Sequence, residues 1–179
     1  MGFLLLSGSN SVASVATTTP VVAVVPSYSV TLTAYNAVPG QTDSDPLVTA
    51  SGAYSNPEII AARSVDLRDE LPFGTVIELD GPVGTQNTCG YGSVEKLIGY
   101  RVIADSMNPR YTERIDVLFD TASNFIRPNG ATMNAGNILG ICKGVTIRVV
   151  GKIDMKHIPK TQVELAKLVT GTSEALAVK

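Results

Sequence analysis

The chain has 179 residues, a length that fits one ordinary domain with tails. Apolar residues make up 44% and charged residues 17%, enough for a sizeable core; without Trp, and with 6% aromatics, that core is mostly aliphatic and β-branched. The net charge of −2, with no basic stripe and no interleaving of aromatic and basic residues, argues against nucleic acid or an anionic membrane as partner.

Met1 to Leu6 is apolar but short and lacks the positive n-region of a secretory signal, which continues into about 7–15 apolar residues. No run approaches the ~20 apolar residues of a membrane span, so none is expected. No Lys or Arg occurs before Arg63. Residues 7–28 are rich in Ser, Thr, Val and Ala with Pro20 and Pro26, and with the apolar start they read as an extended N-terminal arm over 1–28. It is either a linker or a segment ordered by a protein partner.

Strand-like runs follow. Val30 to Tyr35 is β-branched and partly alternating, and Leu47 to Ala50 is a second candidate. Asp43 and Asp45 flank Ser44 as turn formers. Ile59 to Val65 is apolar but interrupted by Arg63 and Ser64. Leu71-Pro72-Phe73-Gly74 forms a turn into the alternating strand Thr75 to Leu79. Residues 83–95 read as loop, Leu97 to Ala104 and Ile115 to Phe119 as strands, Thr121 to Ile126 as a short helix stopped before Pro128, and Gly144 to Ile153 as the last strand. Six or more short strands separated by turns indicate an all-β barrel or sandwich, here placed at residues 29–154. In the tail, 155–179, Val163, Ala166, Leu168 and Val169 recur at helical spacing, interrupted by Gly171. This predicts a short C-terminal helix, docked or free to contact a partner.

Cys89 and Cys142 fit either one disulfide in an oxidising compartment or two free, partly buried thiols. Two cysteines and a single histidine do not make the usual four-ligand zinc site, so no metal and no cofactor is expected. His157, the single histidine, reads as an exposed tail residue.

The acids at strand boundaries carry the functional signal. Asp66 ends Ala62-Arg63-Ser64-Val65-Asp66, Asp105 follows Ala104, and Asp116 follows Arg114-Ile115. Three such carboxylates converging on one cleft would raise one another's pKa. A carboxylic acid kept protonated near neutrality can donate to a glycosidic oxygen. The plainer reading is that each acid caps a turn or pairs with Arg63, Arg68, Arg110 or Arg114.

These motifs occur in an order that resembles the 3D domain, named for three aspartates, of membrane-bound lytic transglycosylases of the A type and of stationary-phase muralytic proteins. The resemblance runs from Thr31 to Val150, about two thirds of the chain. It rests on Leu32-Thr33-Ala34-Tyr35, Thr49-Ala50-Ser51-Gly52, the Asp66 segment followed by Leu71-Pro72-Phe73-Gly74-Thr75, Ala104-Asp105, and Arg114-Ile115-Asp116. It implies a six-stranded double-psi β-barrel and peptidoglycan glycan strands as substrate. Cleavage between N-acetylmuramic acid and N-acetylglucosamine would leave a 1,6-anhydro sugar, because the sugar's own 6-hydroxyl displaces the leaving group and no water is added. The resemblance puts the acid/base at Asp105, supported by Asp116 and Asp66, with Thr33, Tyr35 and Ser51 as substrate-binding residues; Asn108 and Arg110 either bind sugar or peptide groups or fix the loop. Peptidoglycan as substrate puts the expected location outside the cell or in the envelope, and a place in a phage particle would explain the missing signal. The sequence departs from the A-type enzymes after Asp105: their Gly-Gly loop is replaced by Ser106-Met107-Asn108-Pro109-Arg110, which is similar to another branch of the family with an Asp-x-Met-Asn-x-Arg pattern. Two further readings use the same barrel: a non-catalytic wall-binding or phage-particle module, and a hydrolase that adds water.

Overall fold

A computed structural model describes residues 25–42, 44–83, 89–127 and 129–177, with side chains as far as residue 171. The arm as far as residue 24, the turn reading of Asp43 and the helix stop at Pro128 lie outside the described residues.

In chain order the elements are β1 (Ser27–Asn36), β2 (Ile60–Arg63), a 3-10 turn (Val65–Leu67), β3 (Thr75–Asp80), α1 (Tyr91–Ile98), β4 (Arg101–Ser106), β5 (Arg114–Phe119), β6 (Asn124–Ile126), β7 (Thr132–Asn134), α2 (Ala135–Leu139), β8 (Cys142–Lys152), a 3-10 turn (Met155–His157) and α3 (Gln162–Ala177). Six strands close into a barrel in the order β1-β5-β2-β4-β3-β8. The β1–β5 and β2–β4 pairs are parallel, and the other four pairings are antiparallel. This mixed closed barrel is compatible with double-psi topology. β6 and β7 form a separate two-stranded sheet.

Alternation builds the core, because successive strand residues face opposite sides. In β5, Ile115, Val117 and Phe119 join one apolar cluster while Leu118 joins a second. The first cluster draws on all six barrel strands and on α1 and α2. The second draws on the opposite faces, including Ile60, Val76 and Val102, and is closed by Leu165 and Val169 of α3. Gln162 docks the start of α3, its side chain accepting from the Tyr100 amide at 3.1 Å and donating to the Tyr100 carbonyl at 2.8 Å. The predicted C-terminal helix is therefore present, and it runs through Gly171.

Four readings of local structure are corrected. Part of the expected loop at 83–95 is α1, whose Tyr91, Val94 and Ile98 recur at helical spacing and are buried. Glycine-rich composition masked that period. Leu97 and Ile98 consequently belong to this helix, and the strand expected from Leu97 begins at Arg101. Thr121 to Ile126 is a turn followed by β6, because pairing with β7 outweighs the local helical pattern. Leu47 to Ala50 contributes only a single bridge, Val48 to Tyr54. Cys89 and Cys142 form a disulfide, which decides between the two readings of the cysteines. His157 is exposed, with a ring nitrogen 2.9 Å from Asp154.

Among the described residues no helix is long and apolar enough to cross a membrane.

Candidate active site

β2 lies between β4 and β5, and Ala62 sits at the centre of the site. Its partner on β5 is Asp116 and its partner on β4 is Asp105. Thr33 of β1 faces Asp116 from the far side. One rung therefore runs Thr33, Asp116, Ala62, Asp105, with the two aspartates about 10 Å apart at the backbone. A register shift makes this possible. Ala61 pairs with Ile103, but Ala62 pairs with Asp105, so Ala104 is bulged out of the ladder. A bulge re-aims the residues after it. The small Ala62 side chain leaves the space between the two carboxylates open.

That space belongs to a pocket of 640 Å³ lined by Tyr35, Ala50, Ala62, Asp105, Asn108, Arg110, Tyr111 and Asp116, among others. The long connection from β1 to β2 supplies another side through Gly40, Gln41, Thr42, Pro46 and Val48.

The two carboxyl groups have different surroundings. Asp105 is clamped. Its Oδ1 accepts from the amides of Ala50 at 2.9 Å and Ser106 at 2.8 Å, and its Oδ2 accepts from the Tyr35 hydroxyl at 2.8 Å. The Ala50 amide is presented by the Thr49–Gly52 turn, closed by Gly52 N–H to the Thr49 carbonyl at 2.8 Å. Gly52 has φ +83, a conformation that suits glycine. Burial, with Asp105 adding to it, drives the Tyr35 phenol far above its ordinary value, so Tyr35 keeps its proton and donates.

Asp116 is the under-satisfied partner. Its Oδ1 is buried and accepts no hydrogen bond among the described residues. Burial pushes its carboxyl up to about 6, with Asp105 adding to the rise; the Thr33 hydrogen bond and the Arg114 charge oppose it. A carboxyl with that balance carries a proton in mildly acidic solution and can give it up.

The remaining sequence candidates divide. Tyr35, Asn108 and Arg110 line the pocket with Asp105 and Asp116, and Thr33 reaches it through its bond to Asp116. Asp66 and Ser51 do not line it. Asp66 lies in the 3-10 turn after β2, and its Oδ2 accepts from the Glu113 amide at 2.8 Å. Its slight burial is outweighed by hydrogen bonds from Ser64 and from backbone amides, which hold its carboxyl below the ordinary value. Glu113 has φ +49, so Asp66 braces a strained residue at the end of the 107–113 loop. That loop carries Asn108, Arg110 and Tyr111. Asn108 braces it from within, its side-chain oxygen accepting from the Arg110 amide at 3.1 Å. Ser51 is engaged with the Thr49 hydroxyl at 2.9 Å. None of the three aspartates forms a salt bridge among the described residues.

Sequence reasoning missed Ala62, whose importance lies in its smallness and its place between two strands. It also missed Tyr111, although the Arg110-Tyr111 pairing was a usable signal. Comparison with protein-family models and with curated proteins returns no match.

Proposed function

We propose that the pocket cleaves peptidoglycan glycan strands as a lytic transglycosylase of the 3D type. One observation carries the reading: two carboxyl groups of opposite character share one pocket across Ala62, one clamped by three donors and one buried and pushed up to about 6. Paired acids whose surroundings differ in this way take different roles.

On that basis the acid/base is Asp116, whereas the family resemblance puts it at Asp105. Asp116 gives its proton to the oxygen between N-acetylmuramic acid and N-acetylglucosamine as the bond from C1 to that oxygen breaks. Positive charge develops at C1 and faces Asp105, whose fixed position stabilises it. Asp116, now a carboxylate, takes the proton of the 6-hydroxyl as that oxygen bonds to C1. The products are a 1,6-anhydro sugar and a free 4-hydroxyl, and Asp116 is protonated again. No second acid is needed to activate water, unlike the two-carboxylate hydrolases. The Cys89–Cys142 disulfide suits work outside a reducing cytosol, in the envelope or in a phage particle.

Purified protein should release 1,6-anhydromuropeptides from sacculi, with a rate that falls as pH rises through about 6, where Asp116 loses its proton. Asp116→Asn should lower release by about 10²-fold or more, the usual contribution of a positioned acid. Retained turnover in that variant removes Asp116 from the role. Products heavier by one water would identify a hydrolase, and sacculus binding without product would identify a wall-binding module.

A further inference from the structure

The rim of the pocket has the opposite charge to its floor. Arg110 and Arg114 each place the guanidinium carbon 4.7 Å from the centre of the Tyr111 ring, and Arg110 also donates to the Tyr111 hydroxyl at 2.8 Å. Arg110 and Tyr111 line the pocket. Neither arginine has a carboxylate within salt-bridge distance among the described residues. The buried Nε of Arg114 meets no acceptor among them.

Two cations held on one ring repel each other, and the ring's negative face offsets only part of that. An anion placed beside Arg110 would relieve the repulsion and use the Arg110 guanidinium donors that Tyr111 does not engage. The planar fork of Arg110 matches a carboxylate. The floor disfavours the same group, since it already holds the carboxyl groups of Asp105 and Asp116. A ligand that satisfies both ends presents hydroxyl and ether oxygens to the floor and a carboxylate to the rim. Chitin-like glycan lacks that carboxylate, whereas muramic acid carries one on its lactyl group or on the stem peptide attached there.

We infer that Arg110, held by Tyr111 with Arg114 beside it, binds a carboxylate borne by the muramic acid residue and so selects peptidoglycan over uncharged glycan. The inference rests on the proposed glycan-cleaving role of the pocket. Calorimetric titration of the full chain carrying Asp116→Asn, to prevent turnover, tests it with three ligands of equal sugar length: a bare muramic-acid glycan, the same glycan with stem peptides, and a chitooligosaccharide. A carboxylate-bearing ligand should bind about tenfold more tightly than the chitooligosaccharide, the scale of one charge-assisted pair. Preference for the bare glycan would assign the lactyl group, and preference for the peptide-bearing one the stem. Arg110→Gln should abolish the difference and Arg110→Lys, which keeps the charge but not the fork, should retain part of it. Equal affinity for all three ligands, or a preference that survives Arg110→Gln, overturns the inference and leaves glycan binding intact. Binding of none of them overturns both.

Discussion

Asp116 is costly to the fold in the pH range where most proteins are most stable. Burial raises its carboxyl from the ordinary 3.8 to about 6. Between those values the folded chain holds a proton that the unfolded chain has released. The resulting stabilisation is complete below about pH 4 and is lost as pH rises through about 6. Above that, the folded state must keep a charged carboxylate in a site that disfavours it, at a cost of up to about 3 kcal/mol. Asn keeps the shape and cannot ionise. Asp116→Asn should therefore raise the melting temperature at pH 8 and leave it nearly unchanged at pH 4. Thermal unfolding at the two pH values checks this, and an equal effect at both would mean that the charge is not the cause. The positions of Asp105 and Asp116 at strand ends were legible in the sequence, because each follows an apolar run. Their difference in character was not. It depends on the Ala50 amide, the Tyr35 hydroxyl and a bulge at Ala104, all set by pairing between segments distant in sequence.

Among the elements, α1 is tied to the barrel by Arg101, a fully buried cation. Its Nε donates to the Ile98 carbonyl at 2.6 Å, and its terminal nitrogens donate to the carbonyls of Leu97, Pro57 at 2.7 Å, Ile60 and Leu118. One side chain thus satisfies the end of α1 while joining it to β2 and β5, and its guanidinium lies over Phe119 at 5.8 Å. Burial pulls the guanidinium down to about 9, so it remains charged at neutral pH. Replacing a buried ion pair by apolar groups can be harmless, because both charges leave together. Here the acceptors are backbone carbonyls that would stay behind without donors, each at a cost of about 1–3 kcal/mol. Arg101→Met should lower the unfolding free energy by at least about 3 kcal/mol, read from urea denaturation. Arg101→Lys should recover little, since an ammonium has three donors for five acceptors. An Arg101→Met protein as stable as the parent would show that the carbonyls find other partners. The role of Arg101 was not legible in the sequence, where it stands inside the run Leu97 to Ala104 that reads as one strand.

At the scale of the whole molecule, the barrel strands were legible because apolar alternation is local, as in Ile115, Val117 and Phe119. Their order was not, because β2 inserts between β4 and β5, which follow it in the chain by some forty residues or more. The partnership of Cys89 and Cys142 has the same non-local character. The disulfide joins the segment leading into α1 to the start of β8, across a separation of 53 residues. Close backbone packing supports it: the Gly90 amide donates to the Leu139 carbonyl at 3.1 Å, and a Cβ on Gly90 would run into the Ile138 carbonyl of α2. Closing a loop of this length removes unfolded-state entropy worth about 4 kcal/mol. That is a large share of the roughly 5–15 kcal/mol that holds a domain folded. Neither cysteine lines the pocket, so the bond acts on persistence of the fold rather than on the chemistry. Reductant should shift the urea midpoint of the parent to lower concentration by an amount equivalent to about 4 kcal/mol. A Cys89→Ala/Cys142→Ala double variant should start from the lower midpoint and not respond to reductant. If the parent midpoint also ignores reductant while free thiols appear, the barrel holds α1 and β8 together without the bond, and the packing of Gly90 against α2 is the stronger link.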